Sequence, residues 1–195
     1  MVKEDPQKRI LDAALMLFDR YGYAGTSMED IRAAAGFRTK SSLYTHFSSK
    51  EAISVALFQK ILEEEAKFLS PLLTDPAQTA MENVLAVSEQ LVRWGLTHQP
   101  AYRFCFLQWH QDLPPVAETI HQALDAAPKW AGEVLAHLQK KTPELIRSWD
   151  PAVLVDACQG LINQSIVKAP PGLTREEIDE RAQQTAVLCR AIVAP

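Results

Sequence analysis

A chain of 195 residues holds one large domain or one small and one medium domain, and 47% hydrophobic residues supply a core for either. Its three cysteines, Cys105, Cys158 and Cys189, are odd in number and far apart, which argues against a disulfide framework and a zinc knuckle. The net charge of −4 divides unevenly: residues 1–50 carry eight Lys/Arg against six Asp/Glu, residues 51–195 twelve against eighteen, so a polyanion would meet the N-terminal end.

Nine helices are expected, with no alternating strand pattern. Asp5-Pro6 opens the first, with Asp as N-cap and Pro at the first helical position. Ile10, Ala13, Ala14, Leu17, Phe18 and Tyr21 give it one apolar face, and Gly22 and Gly25 close it. Thr26 and Ser27 precede a second helix, with Asp30 completing a capping box and Gly36 ending it. A third helix carries Arg38, Thr39, Lys40, Ser41 and Ser42 at its start and Leu43, Tyr44 and Phe47 after. Phe18, Ile31, Leu43 and Phe47 are the expected core of this part. Ser48-Ser49-Lys50-Glu51 caps a fourth helix to about Leu69, with Ile53, Leu57, Ile61 and Phe68 as its apolar positions. Asp75-Pro76 starts a fifth to about His98, Pro100 a short sixth to Gln111, and Pro114-Pro115 a seventh to Lys141. Asp150-Pro151 starts an eighth to Lys168, and the capping box Thr174 to Glu177 a ninth. No apolar run approaches the length of a membrane span. The opening MVKEDPQKRI is too polar for a signal peptide, so a cytoplasmic location is expected.

Helix, glycine turn and a second helix with a basic, hydroxyl-rich start is the helix-turn-helix pattern. The stretch TSMEDIRAAAGF…SSLYTHFSSKEAI resembles the DNA-binding domain of TetR-family transcriptional regulators. The resemblance spans Pro6 to about Phe58, and six residues, FRTKSS, separate Gly36 from Leu43. It implies an all-α protein: a helix-turn-helix DNA-binding domain at 1–48, then a helical effector-binding and dimerisation domain at 49–195. It places Thr26, Ser27, Tyr44 and Lys50 on phosphates of double-stranded DNA, where the start of the second helix also favours an anion. Arg38, Thr39, Lys40, Ser41, Ser42 and Thr45 are the candidates for base edges. His46 belongs to the same motif and is expected to be partly structural.

Aromatic residues cluster on the fifth to seventh helices. Trp94, His98, Tyr102, Phe106, Trp109, His110 and Trp130 are the candidate effector contacts, since bundle interiors hold small-molecule sites. Each alone is better explained as core, and it is their density between Trp94 and Trp109 that points to a pocket. No catalytic set, metal-ligand spacing or cofactor motif is present in the sequence. Cys105, between two Phe residues, reads as an inert buried thiol. On the last two helices Val153, Ala157 and Leu161, with Ile178, Ala182, Thr185 and Cys189, are the candidate homodimer interface. The expected function is a homodimeric repressor released from a palindromic operator by a small apolar or aromatic effector. The alternative is an all-α small-molecule carrier or sensor that does not bind DNA.

Overall fold

The computed structural model describes residues 5–77, 79–108 and 118–195. Among them there is no strand. The helices are α1 (Pro6–Tyr21), α2 (Met28–Ala34), α3 (Lys40–Tyr44), α4 (Lys50–Leu69), α5 (Met81–Thr97), α6 (Gln99–Tyr102), a π-helical stretch (Arg103–Gln108), α7 (Glu118–Lys141), α8 (Pro151–Val167) and α9 (Arg175–Val193). The chain forms two compact units, 1–63 with 100–121 and 64–99 with 122–195, so the division falls within α4.

In the first unit, Asp5 accepts from the Gln7 N–H, and Pro6 lacks the N–H that a helix start leaves unpaired. The inward stripe of α1 is Ile10, Leu11, Ala14 and Phe18. Tyr21, expected on that face, is exposed because the helix ends there and Gly22, at φ 75°, turns the chain away. Ile31 of α2, Leu43 of α3 and Ile53, Leu57 and Phe58 of α4 complete the core, whereas Phe47 is only half-buried. Phe104 stacks on Phe18 at 5.7 Å and tilts against Phe58 at 4.6 Å. Each such buried side chain contributes about 1.5–3 kcal/mol of transfer free energy. The Arg103 guanidinium grips both oxygens of Asp19 at 2.7 and 2.9 Å, fastening the π-helical stretch to α1.

The second unit is built on α5 against α9, with α7 and α8 packed around them. Arg93 of α5 donates to Asp179 of α9 at 2.6 Å. Hydrogen bonds from Thr185 and Arg181 to Ser165 run along antiparallel α8 and α9. Arg147 closes the end of α9: its N–H donates to Val193 O and its guanidinium to the carbonyls of Ile192 and Ala194.

The expected start of α5 at Asp75-Pro76 is corrected. Asp75 does accept from the Ala77 N–H, as a helix N-cap does, but residues 76 and 77 form a turn and the helix begins at Met81. Tertiary contacts win here. The Thr79 hydroxyl takes the Asp75 carbonyl and pairs with Thr74, whose own carbonyl accepts from Trp130 Nε1 at 2.7 Å. In the same way Phe68, expected inward on α4, is 45% exposed, while Glu65 is 8% exposed.

Candidate functional site

The Ser27 hydroxyl and the Asp30 carboxylate cap α2 reciprocally. Ser27 N–H donates to Asp30 Oδ2 at 2.9 Å, and Asp30 N–H donates to Ser27 Oγ at 3.2 Å. The same contacts hold the Asp30 carboxyl below its ordinary pKa, led by the hydrogen bond from the Ser27 side chain. Gly36 ends the helix at φ 74°, and a Cβ there would sit 2.9 Å from the Arg9 guanidinium. Only glycine combines that conformation with that approach. Thr39 caps α3 in turn, accepting from Ser42 N–H, with its hydroxyl 2.6 Å from that of Ser42. The six residues after Gly36 therefore divide into a turn, Phe37 to Thr39, and the first turn of a five-residue α3. Thr45 donates its hydroxyl back to Ser41 O. His46 is half-buried against the Phe37 ring, in keeping with a partly structural role.

The basic side chains of this region fall into two groups. Arg9 donates to Ala35 O and lies over the Phe37 ring, and Arg32 holds Glu29 and Phe37 O. Lys50 donates to Tyr23 O at 2.7 Å and Thr26 O at 2.8 Å, with its ammonium 4.2 Å from the centre of the Tyr23 ring. These three are committed to the fold. Arg38 and Lys40 are exposed, and among the described residues neither has an ion pair or hydrogen bond of its own. Around them Ser27, Thr39, Ser41, Tyr44 and Thr45 are also exposed, and Ser42 half-exposed. The structure thus gathers most of the predicted DNA contacts on one stretch, and it gives two of them internal work. Thr26 is 3% exposed and donates its hydroxyl to Gly22 O at 2.9 Å. Lys50 spends two of its three protons tying the start of α4 to the α1–α2 loop.

The predicted effector set is divided between the two units. Trp94 stacks on His98 at 5.2 Å in the second unit, while Tyr102 packs on Phe106 at 4.8 Å in the first. Trp109 and His110 lie outside the described residues. The second unit contains a cavity of about 50 Å³ between α5, α7, α8 and α9. Of the predicted contacts among the described residues, only Trp130 lines it. The rest of its wall is aliphatic, with Val84, Leu91, Leu135 and Ile162, and the polar groups are Ser88, Gln159, Cys158 and Cys189. Sequence reasoning missed both thiols here, because residues 31 apart meet only once α8 and α9 fold back on each other.

The predicted homodimer face also needs correction. Ala182, Thr185 and Cys189 are at most 2% exposed, because that side of α9 packs into its own unit. The outward apolar residues are Val153 on α8, at 53%, and Val187 and Leu188 on α9, at 66% and 52%.

Among the described residues no cluster of His, Cys, Asp or Glu could hold a metal ion, and no helix is long and apolar enough to cross a membrane.

Residues 10–57, α1 to the first half of α4, match the family described as bacterial regulatory proteins, tetR family. Over these residues the chain is similar to the TetR family. RutR of Escherichia coli (strain K12), an HTH-type transcriptional regulator, is 42% identical over 57 residues, 29% of this chain and 26% of RutR. The chain thus matches about a quarter of that relative's length. The likeness of fold extends over the whole molecule. The TetR-family regulator PfmR from Thermus thermophilus is 25% identical with a TM-score of 0.72, over 93% of each chain. AibR, solved with isovaleryl coenzyme A and operator DNA, has a TM-score of 0.77 at 23% identity, over 94% of this chain and 97% of its own.

Proposed function

We propose that this protein is a homodimeric transcriptional repressor of the TetR family, released from a palindromic operator when a small apolar molecule binds. Residues 1–48 would be the DNA-binding part and 49–195 the effector-binding and dimerisation part. The observation that carries the reading is the pair Arg38 and Lys40: two uncommitted cations among exposed hydroxyls, next to a helix start, where other cations of the domain are tied internally. Phosphates reward such cations by counterion release, and Arg and Lys are also the side chains that read guanine.

The dimer is supported by the exposed Val153, Val187 and Leu188, with Ala157 beside them on α8. One short recognition helix offers little contact, and two related by a two-fold axis would read half-sites about one helical turn apart. The aliphatic cavity supports an apolar effector. At about 50 Å³ it is far smaller than the roughly 300–1,000 Å³ of pockets for drug-sized ligands. An effector of more than a few heavy atoms would therefore separate α5 from α8 or α9. The unbroken α4 would carry that movement as a lever, changing the spacing of the two DNA-binding domains. A preference of about 1–3 kcal/mol for the released state changes occupancy five- to 150-fold.

Selection from random duplexes by the purified protein at low salt tests this. Enrichment of a palindrome supports the reading. Enrichment of no sequence overturns it and leaves the small-molecule carrier.

A further inference from the structure

Cys158, midway along α8, and Cys189, near the end of α9, line one cavity from adjoining walls. The Cys158 thiol donates to Cys189 O at 3.8 Å, so the two cysteines meet where α8 and α9 pack. Cys189 is 2% exposed, whereas Cys158 is half-exposed. The other polar groups of the wall are Gln159 and Ser88 of α5, whose hydroxyl donates to Val84 O and faces Cys189. Among the described residues no Lys, Arg, Asp or Glu lines the cavity.

We infer that Cys158 and Cys189 form a peroxide-responsive dithiol, which closes to a disulfide joining α8 to α9. Three observations carry this. The thiols are paired across two helices rather than isolated. One is reachable from solvent and the other is enclosed, which is the division between an attacking and a resolving cysteine. The cavity, at about 50 Å³, admits a molecule the size of hydrogen peroxide. The thiol acidities agree in direction. The hydrogen bond from Cys189 lowers the pKa of Cys158, and the same contact, with burial, raises that of Cys189.

The oxidant is a hydroperoxide, and the chemistry balances in two steps. The Cys158 thiolate attacks one peroxide oxygen: an S–O bond forms, the O–O bond breaks, and hydroxide leaves to take up the proton that Cys158 had released. Cys189 then attacks the sulfenic sulfur. The S–S bond forms, the S–O bond breaks, and the hydroxyl leaves as water with the proton of Cys189. Two thiols and one hydrogen peroxide give a disulfide and two waters; sulfur loses two electrons and the peroxide gains them. The product pins two walls of the cavity together.

The test uses the whole reduced chain and reads no DNA binding, so it is independent of the regulator reading. The protein is exposed to hydrogen peroxide, unfolded, alkylated and digested with trypsin. The expected product is the peptide of residues 148–168 joined to that of residues 182–190, in near-stoichiometric yield, with Cys105 still alkylated and the link reversed by dithiothreitol. Sulfinic or sulfonic acid at Cys158 with Cys189 still a thiol overturns the inference. So does a Cys158 link between two chains, or two unmodified thiols after excess peroxide. In Cys189→Ser, checked for helicity by circular dichroism, dimedone should trap a Cys158 sulfenic acid several-fold above wild type. An equal yield removes Cys189 as the resolving group.

Discussion

The surface around α3 and the interior of the second unit handle polar groups in opposite ways. In the first unit most inward polar atoms have partners: Thr26 on Gly22 O, Lys50 on two carbonyls, Arg9 on Ala35 O, with the buried Tyr23 hydroxyl as an exception. What remains unpaired, Arg38 and Lys40, stands in solvent, where a charge costs little and can meet a phosphate. In the second unit the reverse holds. Glu65 of α4 is buried with no hydrogen bond or ion pair among the described residues, and burial pushes its carboxyl up to about 7. A scaffold that presents a ligand surface has its own polar groups satisfied. A region that rearranges can hold one that is not.

Glu65→Gln strains that contrast most. A folded-state pKa of about 7 against 4.5 for the ordinary carboxyl means that the native state holds a proton which the unfolded chain releases first. Stability then falls as pH rises from about 4.5 to 7, and the penalty is complete above 7 and absent below 4.5. At 1.36 kcal/mol per unit the penalty is about 3 kcal/mol, so Glu65→Gln should raise the denaturation midpoint clearly at pH 8 and hardly at pH 4. Equal effects at both pH values, read by urea titration, would place a partner beside Glu65.

Lys50→Ala probes the satisfied side. It leaves the carbonyls of Tyr23 and Thr26 without their donor, so a loss of about 1–3 kcal/mol is expected from thermal or urea unfolding. A stable variant with weakened DNA binding would return Lys50 to a phosphate. Ser27→Ala should cost about 1 kcal/mol, the usual worth of an N-cap, and fray the α2 amides in hydrogen exchange. Unchanged protection there would mean that Asp30 caps the helix alone.

What the sequence disclosed follows the range of the interaction. The Ser27–Asp30 and Thr174–Glu177 capping boxes, Gly36 and the Asp-Pro starts at residues 5 and 150 lie within four residues of their partners, and all were legible. Asp75-Pro76 looked the same and failed, and the long-range contact there, Trp130 Nε1 on Thr74 O, is one that no local pattern marks. Thr26 carries the same hydroxyl as a phosphate-binding residue, and only its depth shows that it serves the loop. Glu65 followed two exposed-type glutamates in Glu63-Glu64-Glu65, so its inward position at the helical period was hidden by composition. The cavity and its cysteine pair come from α5, α7, α8 and α9 meeting, and nothing local marks them. Of the residues read as a dimer interface, Val153 and Ala157 of α8 are exposed, whereas Ala182, Thr185 and Cys189 of α9 lie in the chain's own core.

The double variant Arg38→Ala/Lys40→Ala tests most directly whether the α3 surface meets DNA. Its affinity for the duplex that the wild-type protein selects is measured from low to physiological salt, beside the wild type and with helicity confirmed. The predicted result is a large loss of affinity with a plot of log affinity against log salt shallower by up to about 2, one ion per lost phosphate contact. Wild-type affinity with an unchanged slope would contradict it and move the DNA-binding surface away from α3.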